Sequence, residues 1–183
     1  MLRFLFVLVL ISVGASEASS RTLTVATWNL GWHMDTQTVQ RWIAECGKTY
    51  IENPGAGTWS PSSAAGSTLG WDIGNTFAID GWDSVHLPVC NIYYQGKVVR
   101  VTLDAYKKRQ QQTANFIRKS VPADIIAFQE VSGIDAVKEV LPDSGVDYEF
   151  CGLTDPEQYK VQRLVIAWKK SLGSQISCAT KRL

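Results

Sequence analysis

Two short apolar segments constrain the fold more than any other feature of the sequence. Residues 22–29 (TLTVATWN) and 123–131 (ADIIAFQEV) are rich in apolar and β-branched side chains, which is typical of buried strands. Helical spacing of apolar residues occurs over 36–46, 104–120 and 132–141, so strands alternate with helices along the chain. This order predicts one layered α/β or α+β domain, and 183 residues are enough to form it.

The first 18 residues have the layout of a secretory signal peptide. An apolar run over 4–13 follows a positively charged start, and small residues mark a cleavage site before residue 19. This run is too short for a membrane-spanning helix, which needs ~20 residues. We therefore expect a signal peptide over 1–18, a mature domain over 19–183 without an integral membrane segment, and a secreted or periplasmic location.

Export bears on the four cysteines, Cys46, Cys90, Cys151 and Cys178. In an oxidising compartment they are expected to form disulfides, and four cysteines allow three pairings. The sequence does not choose among these pairings, although proximity along the chain favours Cys46 with Cys90 and Cys151 with Cys178. A structural zinc site is the alternative, but the sequence has no C-x-x-C spacing and only two histidines that could assist.

The segment of about 47–103 is interpreted as an insertion into the domain. Residues 47–81 are rich in Gly, Ser, Pro and Trp, which predicts a loop with little regular structure. Residues 85–103 are predicted as two short strands around a Gln95-Gly96 turn. Tryptophans in the insertion could stack on bases or sugars, but they more often pack a disulfide-tied loop onto its domain, and we expect packing.

Polar residues predict where two of the helices begin. Asp104 is predicted to cap the longest helix, and Ser132 is predicted to cap the helix that follows the second apolar segment. The longest helix carries a basic face that includes Lys107, Lys108 and Arg109. Such a face could meet phosphates, but a solvated surface is the commoner explanation and is the one we expect.

Polar side chains follow both apolar segments, at Asn29 and at Glu130. Sites in α/β proteins are commonly built at strand ends, and a carboxylate there can hold a hard cation. Magnesium takes only one or two protein carboxylates, and a nearby amide can donate to a phosphoryl oxygen as charge builds on it. If the two strands are neighbours, the pair suits metal-assisted hydrolysis of a phosphoester. Residue types alone favour a simpler explanation, in which Asn29 caps a turn and Glu130 is a solvated carboxylate.

Two motifs in these segments resemble those of the endonuclease/exonuclease/phosphatase superfamily, which includes deoxyribonuclease I. They read LTVATWNLGW over 23–32 and PADIIAFQEV over 122–131. The resemblance implies a four-layer α/β sandwich, here with an insertion after the first strand. It also implies that Asn29 is catalytic and binds the substrate by positioning the scissile phosphate, and that Glu130 ligates Mg²⁺ or Mn²⁺. The implied reaction is in-line attack of water on phosphorus.

The later motifs of the superfamily do not occur in this sequence: a strand-end histidine, a D-x-N pair and a terminal S-D-H. The only two histidines, His33 and His86, match none of them, and His33 is interpreted as an incidental loop residue. The chain therefore resembles the N-terminal portion of the sandwich, as in a truncated domain. We expect its first sheet to expose an apolar face, and we expect the chain alone to have little or no hydrolytic activity.

These expectations define a secreted Mg²⁺-dependent phosphodiesterase of nuclease type as the leading hypothesis. Its partner would be a phosphoester substrate, and nucleic acid is one possible substrate. A formal net charge of +1 gives the chain no general affinity for polyanions. Ser132 stands where deoxyribonuclease I has a basic residue that meets the DNA backbone, which puts DNA in doubt. Two alternatives stay open: a phospholipid or phosphosugar phosphatase, and a non-catalytic, disulfide-containing remnant.

Overall fold

The computed structural model describes residues 22–93, 96–141, 147–152, 162–174 and 178. In chain order the elements are β1 (Val25–His33), α1 (Thr36–Cys46), β2 (Thr49–Asn53), β3 (Thr58–Pro61), β4 (Thr68–Leu69), α2 (Leu103–Ser120), β5 (Ile125–Val131), α3 (Ile134–Val140), β6 (Tyr148–Gly152) and β7 (Arg163–Lys169). No helix among them is long and apolar enough to cross a membrane. The predicted signal peptide and Gln95 of the predicted turn lie outside the described residues.

The larger sheet has four strands in the order β1-β5-β7-β6. β1 and β5 are parallel, whereas β7 is antiparallel to both β5 and β6. One face carries the apolar core, in which Ile126 and Phe128 of β5 and Val165 of β7 are fully buried together with residues of α3 and Ile117 of α2. The result is a mixed α/β domain, as the alternation of strands and helices predicted.

The opposite face of this sheet is apolar and open to solvent in the described part of the chain. Val25 of β1 is 66% exposed, and Leu164 and Ile166 of β7 are 51% and 45% exposed. Successive side chains of a strand point to opposite faces, so these residues lie across the sheet from the buried core. The expected exposed apolar face is therefore confirmed for the residues that the structure describes.

A hydrogen-bonded group at one end of the sheet aligns β1 with β5 and β7. The Asp124 carboxylate accepts hydrogen bonds from the backbone N–H and the hydroxyl of Thr24, at 3.0 and 2.8 Å, and from Lys169 Nζ at 3.1 Å. The Thr24 donors, followed by Lys169, lower the pKa of Asp124 to about 2, so this group is anionic. The three strands are joined here in the register that continues to their other end.

The insertion contains regular structure, so the prediction of a loop over 47–81 is wrong. β2 pairs antiparallel with β3 and β4 in a three-stranded sheet of order β3-β2-β4, and Tyr50 of β2 packs with Ile73 and Ile79. These strands have only five, four and two residues, too few to show a period among the glycines and serines. The two strands predicted over 85–103 are also wrong, because the described residues of this range form turns and irregular backbone before α2.

Two disulfides connect the described elements. Cys46 at the end of α1 bonds to Cys90 of the insertion, with Cα atoms 5.6 Å apart. Cys151 of β6 bonds to Cys178, with Cα atoms 5.7 Å apart. This is the pairing that proximity along the chain favoured, and it leaves no thiolate for the zinc alternative.

The tryptophans of the insertion pack against the domain, as expected. Trp71 is 6% exposed and meets Trp42 of α1 edge to face, with ring centroids 5.2 Å apart. Trp59 and Trp82 are partly buried against the cluster that contains Tyr50. Trp71 and Trp82 therefore attach the insertion to the cluster around α1, whereas Trp59 packs within the insertion.

Two helices begin at other residues than predicted. α2 begins after Thr102, not at Asp104, and the Thr102 hydroxyl accepts a backbone N–H of the first turn at 3.2 Å. α3 begins after Gly133, without a side-chain cap. The Ser132 hydroxyl donates instead to the carboxylate of Asp35, the N-cap of α1, at 2.9 Å. Ser132 therefore links the starts of two helices.

Replacing Cys46 and Cys90 together by alanine is expected to lower the free energy of unfolding by about 4 kcal/mol. This disulfide closes a loop of 44 residues, and opening it restores that conformational entropy to the unfolded chain. Urea unfolding followed by tryptophan fluorescence measures the change. The matched pair Cys151→Ala with Cys178→Ala opens a loop of 27 residues and is expected to cost slightly less. Unchanged stability in the first pair would contradict the expectation.

Candidate functional site

Asn29 and Glu130 lie on neighbouring parallel strands, as the predicted site requires. In the register of β1 with β5, Asn29 is directly opposite Gln129, and Glu130 is the next residue along β5. Neighbouring strands run ~4.8 Å apart, so the sheet brings together the backbones of two residues about a hundred positions apart in the sequence. The strands do not end there, however, because both continue with irregular pairing to His33 and Val131.

The irregular junction is called here the β1–β5 bulge, and it comprises Leu30, Gly31 and Trp32 of β1 with Glu130 of β5. Four steps along β1 are set against two steps along β5 before pairing resumes. Trp32 and Glu130 have left-handed backbones, with φ of 56° and 53°, which is unfavourable for residues with a side chain. A bulge breaks the strict alternation of a strand and re-aims its side chains, and such strain clusters at functional sites.

The Asn29 side chain is oriented by the bulge. Asn29 is exposed, and its Oδ1 accepts a hydrogen bond from the backbone N–H of Gly31 at 2.8 Å. Because the oxygen is used within the chain, the two Nδ2 hydrogens are the groups that Asn29 offers to an external acceptor. Asn29 is thus arranged as a hydrogen-bond donor, which suits a phosphoryl oxygen rather than a metal ion.

The carbonyl groups of the β1 side of the bulge, and of the two residues after it, accept hydrogen bonds from other elements. Arg109 donates to the carbonyls of Leu30 and Gly31, and the Tyr93 hydroxyl donates to that of Trp32. Beyond the bulge, the Ser132 N–H donates to the carbonyl of His33 and the Tyr106 hydroxyl to that of Met34. A buried backbone carbonyl without a partner destabilises the folded state, so these donors offset the cost of the irregular backbone. They also hold the bulge in one conformation.

Arg109 is the central donor, and the prediction that it belongs to a solvated basic face is wrong. It is half-buried, and its guanidinium lies 5.7 and 5.8 Å from the ring centroids of Tyr93 and Tyr106. Lys107 and Lys108, by contrast, are exposed as expected. The spacing of Tyr106 and Arg109, three residues apart on a helix, was the sequence signal that could have placed them on one face.

His33 is also buried, so its interpretation as an incidental loop residue is wrong. It is the last residue of β1, is 1% exposed, and stacks on Tyr106 with ring centroids 5.8 Å apart and planes 9° from parallel. Its Nδ1 lies 3.3 Å from Arg109 Nη1 and 3.3 Å from the Tyr106 hydroxyl. His33 therefore belongs to the group that supports the bulge from within the protein.

The surroundings of His33 keep it neutral. Burial, followed by the charge of Arg109, lowers the pKa of His33 to about 4. Since Arg109 can only donate, Nδ1 is the acceptor and the proton resides on Nε2, which is buried without a hydrogen-bond partner at standard geometry. A ring held in this way is a poor candidate for a general base that must reach a substrate.

The bulge offers a hard cation two oxygen ligands, one carboxylate and one amide oxygen. The carboxylate is that of Glu130. The amide oxygen is Oε1 of Gln129, because the amide nitrogen of Gln129 donates to the Thr27 hydroxyl and to the Ala127 carbonyl. Nowhere in the described ranges do three or more His, Cys, Asp or Glu side chains gather as a metal site. Magnesium is commonly held by one or two carboxylates and a substrate phosphate, whereas a zinc or calcium cage would need more ligands.

No family model, curated protein or solved structure matches this chain. The architecture established by the coordinates is a mixed α/β domain with two sheets and three helices in its described part. What the site does must therefore be argued from its own side chains.

Acid should destabilise the fold through His33. His33 of the unfolded chain binds a proton near pH 6.5, whereas in the folded protein it does so only near pH 4. The stability that depends on a neutral His33 is therefore fully present above pH 6.5 and is lost as the pH falls toward 4. Between pH 6.5 and 4 the free energy of unfolding is expected to fall by roughly 3 kcal/mol from this group. Urea unfolding at a series of pH values measures the slope.

The variant His33→Gln should lose this part of the pH dependence, whatever its stability at pH 7. His86→Gln is the matched control, because it removes the other histidine, whose side chain is 39% exposed in the insertion, and the slope assigned to His33 should remain. Equal slopes in the wild type and in His33→Gln would show that His33 is not the group responsible.

Arg109→Met should destabilise the fold by about 2 kcal/mol, because the bulge carbonyls lose a charged donor while the aliphatic stem is kept. It should also raise the pKa of His33, since the lowering by the Arg109 charge is removed. Urea unfolding measures the first effect and an NMR titration of the His33 ring measures the second. Lys108→Met, an exposed neighbour on α2, should change neither. An unchanged His33 pKa in Arg109→Met would contradict the described contact.

Proposed function

We propose that this chain carries the metal- and phosphate-binding part of a secreted or periplasmic phosphoester hydrolase of the endonuclease/exonuclease/phosphatase type. The observation that carries the proposal is the parallel register that sets Asn29 opposite Gln129, beside Glu130. The left-handed backbone of Glu130 within the bulge adds support, because such strain is retained chiefly where it serves a site. The four-layer α/β sandwich is part of this proposal, with the apolar face of the larger sheet as the face that the second sheet would cover.

The proposed roles follow from the hydrogen-bond donors and acceptors at the bulge. Glu130 would hold Mg²⁺ or Mn²⁺, which when bound neutralises charge on the phosphate under attack. Asn29 donates from Nδ2 to a phosphoryl oxygen, a hydrogen bond that strengthens as charge builds there. The Gly31 N–H fixes the Asn29 amide in the donating orientation before the substrate arrives. Enzymes catalyse phosphoryl transfer mainly by positioning the reacting groups and stabilising the developing charge.

The general base is not one of this chain's histidines. His33 is buried and neutral beneath the bulge, and His86 is held by Asp83 in the insertion. We therefore propose that the chain alone binds the metal and the phosphate but hydrolyses phosphoesters slowly or not at all. Among substrates, nucleic acid ranks first and a phospholipid or phosphosugar second.

The non-catalytic alternative has a specific observation in its favour. The enclosure of His33 and the pairing of His86 leave the described chain without a histidine at Asn29 and Glu130. A disulfide-containing binding protein would need the cation and phosphate contacts but not the base. Metal binding without hydrolysis is therefore common to both, and metal-dependent hydrolysis by the chain alone would exclude the non-catalytic alternative.

Glu130→Gln should weaken Mn²⁺ binding by roughly tenfold or more, because it removes the one carboxylate that the bulge provides. Water-proton relaxation with the purified, oxidised chain measures Mn²⁺ affinity directly. Glu52→Gln is the matched control, since Glu52 is exposed on β2 of the insertion. If both variants bind Mn²⁺ as the wild type does, Glu130 is not the ligand and the proposed function fails.

Asn29→Ala separates the second role from the first. It should leave Mn²⁺ affinity within about twofold, because the amide is arranged to donate to phosphate rather than to ligate metal. Binding of dimethyl phosphate in the presence of Mn²⁺ should weaken, and ³¹P relaxation measures it. Retained phosphodiester binding in Asn29→Ala would remove Asn29 from the proposed site.

A further inference from the structure

A cavity of about 230 Å³ lies beside the bulge, at the start of α3. Its lining includes Asp35, Ser132, Gly133, Asp135 and Arg163. The proposed function assigns nothing to it. We name it the Arg163 cavity.

Arg163 is the first residue of β7 and sits opposite Val131, the residue that follows Glu130. The backbone of Arg163 is therefore one strand further across the sheet from Glu130, a step of ~4.8 Å. Its side chain lies on the core face of the sheet, as Val165 does, whereas Asn29 lies on the opposite face with Val25. Arg163 is half-buried, and its Nε is fully buried without a hydrogen-bond partner. The buried Nε is out of reach of a ligand, so the terminal Nη groups are the donors that the cavity offers; Nη1 lies beside Gly133.

The carboxylates that line the cavity do not neutralise Arg163. Asp35 accepts hydrogen bonds from the N–H and the hydroxyl of Thr38, at 2.9 and 2.7 Å, and from the Ser132 hydroxyl at 2.9 Å. Asp135 has a side chain that is 85% exposed, and it lies 3.7 Å from Lys138 Nζ. Both carboxylates are within ion-pair or hydrogen-bond range of other donors, and neither is within ion-pair range of Arg163 in the described structure.

Gly133 leaves room beside the guanidinium. It has φ of 145°, a conformation that glycine adopts readily and other residues rarely do, and a Cβ there would lie 3.6 Å from Arg163 Nη1. A side chain at this position would therefore begin to fill the space in front of the guanidinium. The backbone is shaped so that this space stays open.

We propose that the Arg163 cavity binds a phosphate group of a nucleic-acid strand that crosses the edge of the sheet from the phosphate held at Asn29 and Glu130. The guanidinium presents paired N–H donors that match two oxygens of one phosphate, and it is charged at every physiological pH. The position of the first phosphate rests on the proposed function; the anion affinity of Arg163 does not. Consecutive phosphates distinguish a nucleic-acid strand from a phospholipid or phosphosugar that carries only one.

The first experiment tests the anion site without metal. Inorganic phosphate is titrated into the full oxidised chain, and ³¹P line broadening gives its affinity. Arg163→Gln is expected to weaken phosphate binding roughly tenfold to a hundredfold, as loss of a charged hydrogen-bonding group to an anion does. The matched control is Arg100→Gln, which removes an arginine paired with Asp72 in the insertion and should have no effect. Equal affinity in the wild type and Arg163→Gln overturns the proposal.

Arg163→Lys is a second variant that distinguishes loss of the anion site from misfolding of Arg163→Gln. It keeps the charge and loses the paired donors, so phosphate affinity should fall severalfold while the unfolding midpoint stays near that of the wild type. If Arg163→Lys folds normally and binds phosphate as tightly as the wild type, the guanidinium is not the group that recognises the anion, and the proposal is overturned.

The second experiment tests the substrate class in the presence of Mn²⁺. A dithymidylate with a 5′-phosphate should bind the wild type roughly tenfold tighter than the same dinucleotide without it, and Arg163→Gln should erase the difference. The affinity for phosphocholine should be the same in the wild type and in Arg163→Gln. If phosphocholine depends on Arg163 as strongly as the dinucleotide does, the assignment to nucleic acid is wrong.

Glu130→Gln keeps the two proposals apart. It should weaken Mn²⁺ binding by roughly tenfold or more and leave metal-free phosphate binding at Arg163 intact. Loss of phosphate binding only in Arg163→Gln, with Mn²⁺ binding insensitive to Glu130→Gln, would reject the proposed function and retain the anion site. The reverse pattern would reject the Arg163 cavity and retain the metal site.

Discussion

The structure depends on how donors from α2 and the insertion satisfy the carbonyl groups of an irregular strand. A parallel pair of buried strands tolerates a bulge only if the backbone groups released from the ladder find other partners. Arg109 provides the partners of two of these carbonyls, because one guanidinium can donate to two carbonyls and to the ring nitrogen of His33 at once. Asn29 and Glu130 border this arrangement, so their geometry is set by residues that need not touch a ligand.

The insertion is part of the same arrangement rather than an appendage. Tyr93 lies within it and donates to the carbonyl of Trp32, and the Cys46–Cys90 disulfide joins it to α1. Trp71 packs against Trp42 in the buried cluster that surrounds this disulfide. A change in the insertion can therefore reach the bulge through covalent and packing contacts without altering either proposed site residue.

Local patterns predicted much of the fold. The apolar runs and helical spacing identified α1, β5 and the helical part of 104–120, and the motif resemblance led to Asn29 and Glu130 as a pair. The small sheet of the insertion was missed because its strands are too short to show a period. Arg109 and His33 were missed for another reason: whether a polar residue faces solvent or a buried backbone depends on a tertiary contact, and sequence spacing alone does not reveal the contact. The Arg163 cavity likewise needs β7 beside β5, a neighbour relation that composition and spacing leave undetermined.

The long-range pairing of β1 with β5 has a consequence for how the chain reaches its native state. Thr24 and Asp124 are 100 residues apart, and joining such distant segments requires a costly loop closure that slows the search for native contacts. The Cys46–Cys90 cross-link removes 44 of those residues from the path between the two strands. Oxidation before the strands meet thus shortens the search, so the timing of disulfide formation bears on how fast β1 pairs with β5.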